Sequence, residues 1–273
     1  MNALKTCLGS LAAGSLLWTA VASAQTQIPV LMPKLVTVAS ERSCLGNKDA
    51  ELCARIHVDL ETSGQDWLDL KLLALVAPLA DDPRLQAVRT PAQALEVLRG
   101  QAGQWLAAQR SELQEALDED YFTGYENQEQ LRFVWQRGAL AVFAHSAYSY
   151  SGGAHGMGMT EYRLMDLAGQ RWLQLDDILV PGQQDALLDV LIQAYRDQHP
   201  ELAESWLAST RKEQAEQLLT DNILPGENGL QFNYGPYVLG SYADGQIELK
   251  VSQQQLRGLV RDGLMPAGLS SAE

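Results

Sequence analysis

Apolar and polar positions alternate strictly near the C-terminus, where Ile247, Leu249 and Val251 are interleaved with Glu248, Lys250 and Ser252. A period of two predicts a half-buried antiparallel strand. Phe232 and Tyr234 repeat the pattern against Gln231 and Asn233, and Arg55 to Leu60 alternates over a shorter stretch. Leu131, Phe133 and Trp135 are expected to share one strand face, followed by a second β-rich run from Ala139 to Tyr150. Arg163 to Asp166 and Arg171 to Leu175, joined across Leu167-Ala168-Gly169-Gln170, predict a hairpin. Ile28 to Val38 is β-rich but carries Pro29 and Pro33, which suits an edge strand.

Helical spacing dominates elsewhere. Trp67, Leu68, Leu70, Leu72, Leu73, Leu75 and Val76 predict a helix from Asp66 that stops near Pro78. Thr90-Pro91-Ala92-Gln93 resembles a capping box with proline at the first helical position, and Leu95, Leu98, Ala102, Trp105, Leu106, Leu113 and Leu117 follow on one stripe. The cluster Asp118-Glu119-Asp120 is expected to be a solvated helix end. Further helices are predicted from Gln183 to His199, with Leu187, Leu188, Leu191, Ile192 and Tyr195 on one face, across a weaker stretch holding Leu202, Trp206, Leu218 and Leu219, and from Gln253 to Asp262. Strand and helix blocks are segregated, so the class is α+β, an antiparallel sheet packed by helices.

The leader changes the picture of where this chain works. Lys5, an apolar run from Leu8 to Val21 and Ala22-Ser23-Ala24 form the charged, apolar and small-x-small regions of a cleavable signal peptide, so the mature chain is expected to begin at Gln25. The run is shorter than the roughly 20 apolar residues needed to span a bilayer, and no later stretch reaches that length. Four segments are therefore expected: residues 1–24 as the signal peptide, 25–127 as an N-terminal α+β portion with a disulfide loop, 128–264 as a second α+β domain, and 265–273 as a disordered tail. The expected location is the periplasm, with a soluble product that does not span the membrane.

Formal charge is −14, with 34 acidic and 20 basic residues, and loss of Lys5 with the leader makes it −15. Such a balance argues against nucleic acid or anionic lipid as partner, keeps a secreted protein soluble, and permits a cationic one. Cys44 and Cys53 remain after cleavage, and an even pair in an oxidising compartment predicts one disulfide. Four ligands in a plausible pattern are lacking, so no metal site is expected there.

The most unusual local sequence is Tyr148-Ser149-Tyr150-Ser151-Gly152-Gly153-Ala154-His155-Gly156. A strand ending in aromatics gives way to paired glycines that tolerate positive φ, with an imidazole beside them. Either this holds a ligand, or it is a tight turn with His155 bonded locally. A second cluster, Tyr234-Gly235-Pro236-Tyr237 with Gly240-Ser241-Tyr242-Ala243-Asp244-Gly245, either lines a cleft with tyrosines or seals the end of a sheet. Tyr150, Gly152, Gly153, His155, Tyr237 and Tyr242 are thus the candidate ligand-binding residues. No standard catalytic, metal or cofactor motif occurs, so no catalytic residue, metal or cofactor is assigned.

These residues resemble the extracytoplasmic domain of uncharacterised function shared by RsiV-type anti-sigma factors, which sense lysozyme, and PdaC-type peptidoglycan deacetylases. The matching pieces are Tyr150-Ser151-Gly152-Gly153-Ala154-His155, Asp166 to Gln170, Leu173 to Asp177, Leu230-Gln231-Phe232, Tyr237, Tyr242 to Gly245, and Glu248 to Leu259. The resemblance covers Leu131 to Leu264, with Val36 to Tyr125 a looser equivalent of the region that precedes it. It implies an α+β extracytoplasmic module without established catalytic residues, here expected to be free-standing. The functional expectation is a periplasmic binding or sensing module for an envelope component, either peptidoglycan or a cationic protein such as lysozyme. The alternatives are a cell-wall hydrolase using His155 as acid or base, and an accessory protein of an envelope complex.

Overall fold

The computed structural model describes residues 27–47, 50–76, 87–116, 124–210, 215–261 and 263. The expected signal peptide, the acidic cluster Asp118-Glu119-Asp120 and the expected tail 265–273 lie outside them. A long hairpin, β1 (Lys34–Asn47) and β2 (Ala50–Thr62), opens the fold. Helices α1 (Asp66–Leu73) and α2 (Pro91–Glu115) follow. Strands β3 (Gly124–Arg137), β4 (Leu140–Ser151), β5 (Met157–Asp166) and β6 (Arg171–Leu173) complete a six-stranded sheet in the order β1-β2-β3-β4-β5-β6. Then come α3 (Leu175–Ile178), α4 (Gln184–Gln198), α5 (Pro200–Ser209) and a three-stranded sheet of β7 (Ile223–Gly226), β8 (Gly229–Tyr234) and β9 (Ile247–Ser252). The α+β class holds, with one departure: β2 and β3 pair in parallel, because the two helices carry the chain back across the sheet between them.

Local chemistry explains the elements. The Thr90 hydroxyl accepts from the Gln93 amide at 3.3 Å and the Gln93 side chain accepts from the Arg89 amide at 2.9 Å, so α2 starts where the capping pattern predicts. Burial along β9 alternates residue by residue, as its sequence does. Cys44 and Cys53 face each other across β1 and β2 with a Cα separation of 4.1 Å and form the disulfide.

Two apolar clusters build the core. One lies on the helical face of the large sheet, where Leu68, Leu72, Leu98 and Leu113 meet Ile56, Leu60, Leu131, Phe143 and Met165. The other lies on the opposite face at one end of the strands, where Val142 and Leu164 meet Leu187, Leu191 and Tyr195 of α4 and Phe232, Leu249 and Val251 of the small sheet. The segment boundary expected at residue 127 falls inside β3, and the sheet runs across it.

Four expectations are corrected. Phe133 and Trp135 lie on opposite faces, because the register shifts between them: Val134 is an extra residue, Phe133 opposes Phe143 in one core and Trp135 opposes Val142 in the other. The stretch expected to carry Leu202, Trp206, Leu218 and Leu219 in one helix is interrupted: α5 ends at Ser209, Thr210 is extended, and among the described residues that follow, Glu216–Leu218 form a short 3-10 turn. Residues 253–259 form successive turns instead of a helix, closed by an isolated bridge between Val260 and Leu179. The first strand begins at Lys34, since Pro29 and Pro33 lack the N–H a ladder requires.

Candidate functional site

The glycine-histidine turn and the tyrosine loop meet through His155 and Tyr242, although about 80 positions separate them in the sequence, while Tyr150, Gly152 and Gly153 contact one another within the turn. Gly152 adopts a φ of 75°, and the Tyr150 hydroxyl donates to the Gly153 carbonyl at 2.8 Å and accepts from its amide at 3.2 Å. Tyr150 therefore pins the β4–β5 turn. His155, at the exit of the turn, stacks on Tyr242 with ring centroids 3.6 Å apart and 12° between planes. The Tyr242 hydroxyl donates to the Gly156 carbonyl at 2.6 Å, and His155 Nδ1 lies 3.2 Å from the same oxygen. A carbonyl only accepts, so Nδ1 carries the proton of the neutral ring and Nε2 is left as an acceptor. Tyr237, with a φ of 69° and 58% exposed, sits with its ring 5.9 Å from that of Tyr242.

This aromatic stack borders a larger surface that no local motif in the sequence reveals. Ladder partners share a face, so the register defines successive cross-sheet rows of side chains on the side away from α2. The first row is Arg42, Arg55, Glu126 and Tyr150; the second is Ser40, His57, Gln128, Tyr148 and Gly158; the third is Thr37, Asp59, Gln130, Ser146 and Thr160. Apart from Asp59, every one of these residues is at least partly exposed. A groove of about 370 Å³ runs over Gln128, Gln130, Ser146, Tyr148 and Thr160.

The floor of the groove is shaped by glycines. A Cβ on Gly156 would stand 2.3 Å from the Tyr148 hydroxyl oxygen, and one on Gly158 would stand 3.2 Å from its ring. The absence of both side chains lets the Tyr148 ring lie across the start of β5. Ser146 and Thr160 bond to each other at 2.8 Å, and Gln128 donates to Glu126 at 2.6 Å.

Beside the groove, Asp59 anchors a charged network. It accepts from Thr37 Oγ1 at 2.7 Å, lies 3.1 Å from His57 Nε2, and meets Arg132 at 3.4 Å. Burial pushes its carboxyl up, but the hydrogen bonds from Thr37 and His57 and the charges of His57 and Arg132 outweigh burial and hold it below the ordinary carboxylate value. His57 Nδ1 in turn lies 3.3 Å from Ser40 Oγ. Among the described residues no cluster of His, Cys, Asp or Glu has the arrangement of a metal site.

The outer edge of β5 is closed by side-chain amides from the small sheet and its approach. Gln246 accepts from the Thr160 amide at 2.8 Å and donates to the Thr160 carbonyl at 3.0 Å. Asn222 accepts from the Tyr162 amide at 2.7 Å and donates to the Thr160 carbonyl at 2.9 Å. The edge that would invite another strand is thereby occupied, and one wall of the groove is fixed.

Residues 176–254, from α3 to β9, match the family profile described as a protein of unknown function (DUF3298). The structure is similar to that of a member of the DUF3298 family from Bacteroides fragilis, at 19% identity and a TM-score of 0.65, over 85% of this chain and 95% of that one. It is similar also to a DUF3298 family protein from Pseudomonas aeruginosa, at 22% identity and a TM-score of 0.56, over 88% and 99%. No curated protein matches the sequence.

Proposed function

We propose, for a chain that carries a DUF3298 domain, that it is an exported periplasmic binding module of the RsiV/PdaC type whose polar sheet face receives a glycan of the cell envelope. One observation carries this reading: the groove presents an aromatic ring, Tyr148, beside the Gln128 and Gln130 amides and the Ser146 and Thr160 hydroxyls. Sugars offer apolar ring faces and rims of hydroxyl and amide groups, and aromatic surface with convergent polar groups is complementary to both. The signal-like leader supports the compartment, and the disulfide is in keeping with it. Tyr237, Tyr242 and His155 extend the aromatic surface beyond the groove.

The test is co-sedimentation of the protein beginning at Gln25 with purified peptidoglycan, beside Tyr148→Ala, Gln130→Ala and a His155→Ala/Tyr237→Ala pair, with immobilised lysozyme as a separate arm. Sedimentation that Tyr148→Ala abolishes supports the reading. Capture by lysozyme alone replaces the glycan with a cationic protein as ligand, and capture by neither removes the binding function.

A second reading, an accessory protein docked in an envelope complex, has one observation of its own. Val30 and Met32 are 81% and 76% exposed, and Ile28 and Val30 border the same surface hollow as Val134. Contiguous exposed apolar surface marks contact sites. Val30→Ser/Met32→Ser would abolish co-purification with a complex while leaving glycan binding intact.

A further inference from the structure

Arg42 and Arg55 stand directly opposite each other in the β1–β2 ladder, on the face that carries the groove. Cys44 and Cys53, one same-face row further on, have the short Cα spacing of a non-hydrogen-bonded pair, 4.1 Å, and the register is unbroken between the two rows. The arginine row is therefore of the same close type, with Cα atoms about 4.5 Å apart and side chains projecting side by side. Two like charges so placed repel.

The chain has acids to spare, 34 against 20 bases, and other guanidiniums on it find carboxylates: Arg132 meets Asp59, Arg163 meets Glu161 and Arg171 meets Asp177. Arg42 and Arg55 form no such pair with the described residues, and both are exposed. Their nearest acid in the ladder, Glu126, is the partner of Arg55 across β2–β3, and its carboxylate accepts from Gln128 at 2.6 Å. The disulfide holds the two strands together next to the pair, so its geometry is set in advance of binding.

We infer that Arg42 and Arg55 form a carboxylate-binding subsite at the end of the polar face, so that the ligand is an anionic glycan. Paired guanidinium forks match the two oxygens of a carboxylate and are weakly hydrated, which suits them to this task. An acceptor between them also removes the repulsion within the row. The carboxylate comes either from an acid-bearing sugar or from a peptide attached to one. The inference rests on the glycan reading for the identity of the rest of the ligand.

Calorimetric titration with three probes separates the cases: N,N′-diacetylchitobiose, which has no carboxylate, the disaccharide of N-acetylglucosamine and N-acetylmuramic acid, whose lactyl group is one, and the same disaccharide bearing a tripeptide. The expected result is affinity about tenfold higher for a carboxylate-bearing probe than for chitobiose, the low end of what hydrogen bonds to a charged group contribute. That preference shrinks with added salt and disappears in Arg42→Gln/Arg55→Gln, whose chitobiose affinity is unchanged. A stronger response to the lactyl acid or to the tripeptide identifies the source. Equal affinity for charged and uncharged probes, or equal loss of all three in the variant, overturns the inference while leaving the glycan reading in place. Succinate, titrated while the arginine Nε–H resonances are followed by NMR, covers the remaining case. If no sugar binds but succinate shifts Arg42 and Arg55, the glycan reading fails and the carboxylate subsite stands. If succinate shifts neither, both fail.

Discussion

Tyr148 and the glycine at 156 illustrate how one position controls a surface. Adding a methyl group at Gly156 places an atom 2.3 Å from the Tyr148 hydroxyl oxygen, but that oxygen is the far end of a half-buried ring able to swing outward. Gly156→Ala is expected to cost only about 1 kcal/mol of stability, at the low end of the range for overpacking, while reducing peptidoglycan binding at least as much as Tyr148→Ala. Denaturant unfolding and co-sedimentation of the same variant check the two halves. Gly229→Ala provides the contrast. There the added atom meets the Val251 carbonyl at 1.9 Å, at a φ of 152°, and neither backbone can yield. A loss of about 3 kcal/mol or more is expected for that variant.

At the scale of elements, two amides make the polar part of the joint between the two sheets, beside the apolar cluster that packs Val142 and Leu164 against Phe232 and Leu249. Asn222 and Gln246 both bond the Thr160 carbonyl, and between them they satisfy the Thr160 and Tyr162 amides on the outer edge of β5. Asn222→Ala and Gln246→Ala are each expected to destabilise by about 1–3 kcal/mol, the cost of leaving such groups unpaired. Their shared acceptor makes the double variant non-additive, which a double-mutant cycle measures. If the two effects add within experimental error, the amides do not act as one joint. The Val134 bulge works at the same scale, because one extra residue directs Phe133 and Trp135 into different cores.

For the whole molecule, two features set the response to conditions. Removing the disulfide by Cys44→Ser/Cys53→Ser is expected to cost about 2–3 kcal/mol on the chain-entropy account of a short loop. It should also weaken the preference for carboxylate-bearing probes, since the arginine row is adjacent. The tyrosines govern the alkaline limit. Burial and the Asp244 carboxylate push Tyr195 up to about 12, and burial pushes Tyr234 up as well. Their hydroxyls donate to the Leu239 and Leu218 carbonyls, so both must stay protonated in the fold. A folded-state value raised above the unfolded one of about 10 gives stability that is complete below pH 10 and is lost as pH climbs toward 12. Denaturant midpoints should therefore be level to about pH 9 and then fall. The fall should be shallower in Tyr195→Phe.

Local patterns along the chain determine much of this molecule by themselves. Alternation sets β9, the Thr90-Pro91 cap sets the start of α2, and the cysteine pair predicts the cross-link, since each depends on residues close in sequence. The glycine-histidine turn and the tyrosines are visible as two separate clusters, but only folding stacks His155 on Tyr242. The polar face is legible as alternate residues within β2 and β3, for example Arg55, His57 and Asp59. Its assembly requires the register of five strands and the parallel β2–β3 crossover, which are long-range choices made by core packing. Trp135 marks the limit: a period of two assigns it to the face of Phe133, and a bulge that satisfies two cores at once reverses the assignment.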